Sequence, residues 1–406
     1  MLRYAVVGAS GYPGTHIERI RQHGPELGCE LAAVAVRPQD RRPGQAEQFA
    51  ADGVEVFADA VEMFEATAGR IDAVFVPTGI HTHCELACAA MARGHHVYLE
   101  KPPAATVQEV DRMLAASAES GKMCCLGVQS IFGESLNLVK SRIVSGELGQ
   151  VKRLACRSRA PRPDKYYARN EWAGRLKVGD AWVLDGPSNN ALSHQIADML
   201  YLASPEPRTF ATPRTVRAEL YHARDIESED TSSIEIHTAE GAVAYFIVSH
   251  CADAHDRPLI EVECSAGRAS WEDSGLTRIA YADGREESLE RDSVLPQVLA
   301  LANFTEAVRA GDADLLKCDL KMGRNFTLAL NGAFESAGRI RTIPPKFSNR
   351  VGDGPDGRIV VDGMDEAILR AAAEGKLYSD VGCQWAEPTE PFDLTGYDRF
   401  PQRFKP

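Results

Sequence analysis

The sequence predicts an α/β protein with a doubly wound parallel sheet at its N-terminus. A second α/β domain with a large, mainly antiparallel open sheet follows. Three observations carry this. Over the first 130 residues, apolar runs of four to six residues alternate with helical segments, as buried parallel strands alternate with crossover helices. The first run enters a turn with glycines three residues apart. From about Lys152 to Glu287 the pattern changes to polar–apolar alternation, the mark of strands with one buried face.

In order, Tyr4 to Val7 reads as the first strand and Thr15 to His23 as the first helix. Leu31 to Val36 is a strand, Val61 to Ala68 a helix, Ala73 to Val76 a strand, and Glu85 to Arg93 an Ala-rich helix. His96 to Leu99 is a strand closed by Pro102-Pro103, followed by a helix from Val107 to Ser120 and a strand from Met123 to Val128. Repeated strand–helix units of this kind imply a doubly wound sheet. Ser233 to His237 and Ile260 to Cys264 alternate as antiparallel strands do. Leu295 to Ala310, stopped by Gly311, and Met322 to Gly338 are helical. A Pro- and Gly-rich stretch, Pro344 to Asp356, leads to a short helix at Asp365 to Gly375 and a tail expected to strap over the body. The domain boundaries expected are 1–128 for dinucleotide binding, 129–343 for substrate binding and oligomerisation, and 344–406 for a C-terminal extension.

Composition excludes several classes. Lys plus Arg number 45 against 58 Asp plus Glu, a formal charge of −13, which does not suit a grip on a nucleic-acid backbone. No apolar run approaches the roughly 20 residues of a membrane helix. The start of the chain reads as a strand rather than a signal peptide. The ten cysteines form no C-x-x-C pair, so free thiols in a reducing cytoplasm are expected. His250-Cys251-Ala252-Asp253-Ala254-His255-Asp256 matches no strong ligand spacing, and no metal is expected.

The chemistry-bearing motifs begin with Gly8-Ala9-Ser10-Gly11-Tyr12-Pro13-Gly14, between the first strand and the first helix. Glycines there permit a tight turn and bring backbone N–H groups to a pyrophosphate at a helix N-terminus, the Rossmann-type arrangement. Ser10 stands where the usual fingerprint has its middle glycine. At the end of the second strand, where an acid would bind the ribose 2′-hydroxyl, stands Val36. Arg37 follows, with Arg41 and Arg42 behind it and no acid before Asp40. Guanidinium suits a 2′-phosphate, so NADP is favoured over NAD. Glu100-Lys101-Pro102-Pro103 follows the fourth recognised strand, at the carboxyl edge where ligands of such sheets sit. A lysine there can hold a substrate oxygen as charge develops on it.

Asp72 to Thr78, His83 to Ala87 and Gly94 to Pro102 follow one another in order after the glycine turn. Together they resemble the Gfo/Idh/MocA oxidoreductase family. The resemblance is strongest over residues 1–155, where it includes Gln129 and Gly146-Glu147-Leu148-Gly149, and is absent from the tail. It implies that Lys101 is the active-site lysine and that Thr78, His83, Glu100 and Gln129 line the nicotinamide side, with the turn residues Gly8, Ser10, Gly11, Tyr12, Pro13, Gly14 and Arg37 completing the cofactor site. It also implies an Asp and a His four residues apart on one helical face. His194 matches the histidine, and Asn190 stands at the Asp position. A histidine there serves as general acid/base. An amide can orient but cannot raise the histidine's basicity. Tyr167, Arg169 and Trp172 interleave aromatic and polar groups suited to a sugar ring, and complete the substrate set with Asn190 and His194.

The function expected is NAD(P)-dependent hydride transfer to or from a hydroxyl or carbonyl carbon of a sugar, inositol or related polyol. Lys101, His194 and Asn190 are the catalytic set, and the assembly expected is a homo-oligomer, dimer or tetramer, through the alternating strands. Two alternatives stand beside it: an NAD-dependent glycosidase of the same family, and a non-catalytic dinucleotide-binding regulatory protein, which the Asp-to-Asn departure supports.

Overall fold

The computed structural model describes residues 1–406 and divides into two units. The first comprises Met1–Ala104, Gln108–Phe132 and Val294–Arg324; the second comprises Ala105–Val107, Gly133–Ser293 and Asn325–Pro406.

The first unit is built on β1 (Leu2–Val7), α1 (Tyr12–Leu27), β2 (Cys29–Ala35), α2 (Gln45–Ala51), β3 (Glu55–Phe57), α3 (Ala60–Ala66), β4 (Ala73–Val76), α4 (Ile80–Ala92), β5 (His96–Glu100), α5 (Val107–Ser120) and β6 (Cys124–Gly127). The strands form one parallel sheet in the order β3-β2-β1-β4-β5-β6, with the chain reversing direction across the sheet beside β1. The doubly wound expectation therefore holds. β4 and β6 are buried throughout, which is why they read as continuous apolar runs. α2 and β3 were not legible: β3 is a half-buried edge strand of three residues and gives no periodic signal.

The second unit begins with α6 (Glu134–Val144), β7 (Val151–Arg159), α7 (Asp164–Tyr167), β8 (Lys177–Val178), β9 (Ala181–Trp182) and α8 (Ser193–Ala203). A run of strands follows: β10 (Pro213–His222), β11 (Thr231–Thr238), β12 (Val243–Ser249), β13 (Leu259–Cys264), β14 (Gly267–Glu272), β15 (Thr277–Tyr281) and β16 (Glu286–Leu289). Beyond them α9 (Pro296–Ala310) belongs to the first unit, and α10 (Leu320–Ala337), β17 (Arg341–Thr342), β18 (Ser348–Val351), β19 (Arg358–Val361), α11 (Met364–Glu374) and β20 (Phe392–Asp393) follow. The large sheet runs β16-β15-β14-β13-β7-β12-β11-β10-β17, with β20 also on β10. It is antiparallel except where β7 meets β12 and β10 meets β17.

Cores differ between the units. In the first, Phe75 of β4 stacks on Tyr98 of β5 at 4.8 Å, and Phe304 of α9 sets its edge on both at 5.7 and 5.6 Å. In the second, the region after Pro344 is no loose tail. Met364, Ile368, Ala371 and Ala372 of α11 join Leu377, Tyr378 and Trp385 in a buried cluster with Tyr221 and Ile247 of the large sheet.

The last residues are held by one carboxylate. Glu335 of α10 is fully buried and accepts from Tyr397 Oη and the backbone N–H of Gln402 at 2.6 Å each on Oε1. Its Oε2 accepts from the N–H groups of Arg403 and Phe404 at 2.6 and 2.8 Å. An amide at this position turns one acceptor into a donor facing N–H groups. Glu335→Gln should therefore cost about 3–6 kcal/mol, the worth of two hydrogen bonds to a charged group. Urea denaturation measures it, and a variant as stable as the parent would show that the tail is held elsewhere.

Candidate functional site

The glycine turn opens where β1 ends. Gly8 has φ +91° and Gly11 φ +65°, values that L side chains rarely adopt. A Cβ on Gly8 would lie 2.8 Å from Pro13 Cγ, and one on Gly14 would lie 3.3 Å from the Ala9 carbonyl oxygen. Nothing lies within 4 Å of the Cβ position on Gly11, which caps the N-terminus of the 16-residue α1 with no side-chain hydrogen bond. Ser10, Gly11 and Tyr12 are exposed. An open cradle at the positive end of a long helix fits the pyrophosphate of a dinucleotide.

Beside it, a polar knot fixes the end of β5. Glu100 is 5% exposed. Its Oε1 accepts from Gln129 Nε2 at 2.8 Å and lies 3.0 Å from His16 Nε2, and Gln129 Nε2 also donates to Tyr12 Oη at 3.1 Å. Glu100 Oε2 accepts from the Lys101 N–H at 3.3 Å. Gly127 makes room for this carboxylate, since a Cβ there would lie 2.6 Å from Glu100 Oε1. The lysine thus leaves the strand from a backbone clamped on its N-terminal side. The structure brings Tyr12, Glu100 and Gln129 together and adds His16, which sequence reasoning missed. Its only signal was a histidine two residues past Gly14 on a helix that must pack on the sheet.

Thr78 Oγ1 lies 2.7 Å from Thr82 Oγ1. The His83 ring nitrogens lie 2.9 Å from the Pro102 carbonyl oxygen and 3.1 Å from that of Thr78. Its ring is buried, and burial pushes its pKa below the ordinary value. His83 therefore braces the loop after β4 to the loop after β5. Of the arginines after β2, Arg41 donates to the carbonyls of Val36 and Phe57 at 2.9 and 3.1 Å and ties strand ends together. Arg37 is exposed and donates to Asp40 at 2.6 Å. The acid that is absent at position 36 is thus present three residues past Arg37, in contact with the arginine.

In the second unit, the expected single helical face for Asn190 and His194 is corrected. α8 begins at Ser193, and Asn190 lies in a separate π turn, Pro187–Ala191. That turn is closed by bonds from Ala191 N–H to Gly186 O and from Leu192 N–H to Pro187 O, five residues apart. The interruption falls at Leu192, with φ −122°. His194 sits in the first turn of α8 and lines a cavity of about 350 Å³.

Asn190 meets a buried carboxylate, that of Asp185, which is 2% exposed. It accepts from Asn190 Nδ2 at 2.6 Å, from the Gly174 N–H at 2.7 Å and from Arg169 at 3.0 Å. Arg169 in turn lies over the rings of Tyr166 and Trp172, at 3.9 and 5.2 Å. Tyr167 Oη lies 2.8 Å from His250 Nδ1. His250 is held well below its ordinary pKa by burial and by the cations Arg162, Arg224 and Arg169. The structure therefore gathers Arg169, Trp172 and Asn190 around an aspartate that no spacing rule singles out.

Beneath the π turn lies Glu229, fully buried. It accepts from Ser188 Oγ and Ser228 Oγ at 2.6 Å each and from the Ser188 N–H at 3.2 Å. A Cβ on Gly186 would stand 2.2 Å from this carboxyl group, so the turn closes over it only as glycine. Burial raises the Glu229 pKa from 4.5 to about 7. Between those values the native chain keeps a proton that the unfolded chain releases, so stability falls as pH rises from 4.5 to 7. Relative to Glu229→Gln, the parent should lose up to about 3 kcal/mol across that window and nothing further above it. Denaturation midpoints of the two proteins that stay parallel from pH 4.5 to 8 would contradict this.

Residues 2–128 match the description "Oxidoreductase family, NAD-binding Rossmann fold", and residues 136–270 match the Gfo/Idh/MocA C-terminal domain. An inositol 2-dehydrogenase of Azotobacter vinelandii is 27% identical over 208 residues, covering 50% of this chain and 54% of the relative. A 4-carboxy-2-hydroxymuconate-6-semialdehyde dehydrogenase of Sphingobium sp. is 27% identical over 148 residues, 36% of this chain and 44% of the relative. The chain thus spans about half the length of the curated relatives it matches. Among solved structures, the WlbA dehydrogenase of Bordetella pertussis, in complex with NADH and UDP-GlcNAcA, superposes with a TM-score of 0.69 at 24% identity, over 83% of this chain and 96% of that one.

Proposed function

This chain belongs to the Gfo/Idh/MocA family of oxidoreductases, and from that premise we propose that it transfers hydride to or from a hydroxyl or carbonyl carbon of a sugar, inositol or related polyol. The observation that carries the reading is the Glu100–Lys101 corner, where a buried carboxylate bonded to Gln129 and to the Lys101 N–H fixes a lysine at the carboxyl end of a parallel strand. The glycine turn and the N-terminus of α1 hold the pyrophosphate of a nicotinamide dinucleotide, which supplies the hydride acceptor or donor when bound. Lys101 donates a hydrogen bond to the reacting oxygen. His194 takes or returns its proton, and Asn190, oriented by Asp185, positions the substrate. The inositol 2-dehydrogenase relative supports a polyol as substrate class. Ten free cysteines support a cytoplasmic setting. Self-association through the large sheet rests on the alternating strands Ser233 to His237 and Ile260 to Cys264.

Lys101→Ala should abolish turnover, read as nicotinamide absorbance against a panel of sugars and polyols, while dinucleotide affinity stays within a few-fold. Near-parental kcat in this variant would sink the assignment. For oxidation the base must be neutral, so kcat/KM should rise with pH through the histidine range, and His194→Ala should flatten that limb. Asn190→Asp would set a second carboxylate at the 2.6 Å contact with Asp185, so it should impair rather than improve the enzyme.

For the nucleotide, we favour NADP on Arg37. Asp40 opposes that preference, because a 2′-phosphate has to compete with it for the guanidinium. Fluorescence titration should show NADP bound more tightly than NAD. Arg37→Ala should erase about 1.5–3 kcal/mol of the difference and Asp40→Ala should widen it. Equal affinities in the parent would reject the preference.

A further inference from the structure

The cavity beside His194 contains a charge that the protein leaves unanswered. Arg162, Arg257 and His255 line it together with His194, and so do Asp256 and Asp273. Most of these charges are accounted for. Asp256 accepts from the Arg159 N–H at 2.6 Å and from the side chains of Arg159 and Arg157 at 2.8 and 3.3 Å. Burial pushes the Asp273 pKa up to about 6, a shift that the cation Arg257 opposes. Of the three arginines crowded around His250, Arg169 is met by Asp185 and Arg224 by Asp164.

Arg162 differs from these. No carboxylate pairs with it; its side chain hydrogen-bonds the Tyr166 hydroxyl, and its Nε, like that of Arg224, is buried with no hydrogen-bond partner. Its guanidinium carbon lies 5.1 Å over the Tyr166 ring, a contact that orients a cation without neutralising it. Its backbone is fixed, since the N–H donates to the His250 carbonyl at 3.1 Å and its own carbonyl accepts from Arg224. A half-buried cation without a counter-charge is costly unless something supplies one. A site on the surface of this cavity, beside the proposed proton acceptor, is where substrate would supply it.

Resting on the reading of this cavity as the substrate site, we infer that the hydroxylated substrate is an acid: a carboxylate or phosphate on the sugar or polyol is received by Arg162. Guanidinium binds either group through paired N–H donors, so the two share one recognition chemistry. Tyr166 stacked on Arg162 holds the fork in place, which lets the anion set the distance between the reacting carbon and His194. A neutral polyol would leave the cation unmet, and the site would discriminate against it for that reason.

The test uses the full chain loaded with dinucleotide and two matched pairs: D-glucuronate with D-glucose, and myo-inositol 1-phosphate with myo-inositol. Binding is read by calorimetry and turnover by nicotinamide absorbance. In at least one pair the acid should bind at least about tenfold more tightly than its neutral partner. Arg162→Gln should reduce that ratio about ten- to a hundredfold, and Arg162→Lys should retain part of it. Preference for glucuronate identifies a carboxylate as the recognised group, and preference for the inositol phosphate identifies a phosphate. Equal binding within both pairs, an unchanged ratio in Arg162→Gln, or no binding of any of the four compounds would overturn the inference. Arg162-dependent binding without turnover would uphold the anion site and reject the hydride-transfer reading. Turnover of neutral polyols without preference would do the reverse.

Discussion

A titratable group removed from water has to be met by donors or acceptors at fixed places, and in this chain those obligations decide where the irregular segments run. Glu100, Asp185, Glu229 and Glu335 are all buried, and each gathers hydrogen bonds from segments separate in sequence. Lys140 is the cationic counterpart. It is 3% exposed, donates to the carbonyls of Tyr201 and Ser204 at 2.6 Å each, and so closes the end of α8 opposite His194. Burial pulls its pKa down to about 7. Removing one partner of such a group leaves the other charge stranded, a loss of several kcal/mol concentrated in one residue. The regular elements tolerate substitution by repacking; these knots do not.

The same logic explains the departure at position 190. An aspartate there would face Asp185 across 2.6 Å, whereas an amide donates to it. Asn190 and Asp185 therefore form one hydrogen-bonded pair, and Arg169 engages the carboxylate on its other side. The π turn makes this possible. A wider turn between Gly186 and Leu192 places the amide against Asp185 before α8 begins.

How much of this could be read from the sequence follows from the range of each interaction. Parallel strands such as β4 and β6 announce themselves because burial on both faces makes every residue apolar. The glycine turn is legible because only glycine tolerates φ +91° at position 8 against Pro13. Asp185, Glu229 and His16 were not legible. Apart from Ser228 next to Glu229, their hydrogen-bond partners lie 5 to 84 residues away, and nothing local marks a buried acid or histidine. The split between Asn190 and His194 was hidden for a related reason. A spacing of four suggests one helical face, but the backbone changes pitch at Leu192 to accommodate a carboxyl group 37 residues downstream. Arg37 and Asp40 were both visible, and only their contact was not.

The segment after Pro344 has a consequence in terms of mass action. α11 and the stretch around Tyr378 and Trp385 lie on Tyr221 and Ile247 of the large sheet, secured by Glu219 to Ser379, Arg217 to Asp380, and Arg153 to the last carbonyls of α11. Because the cover is covalently part of the chain, its docking is a first-order event whose equilibrium is indifferent to dilution. Had a second molecule supplied that surface, shielding it would depend on how many molecules were present. The chain thus keeps this face of its sheet dry at the low copy numbers at which a borrowed cover would be lost. Any self-association through the remaining strands can then be weak or transient without exposing the apolar surface at β10 and β12.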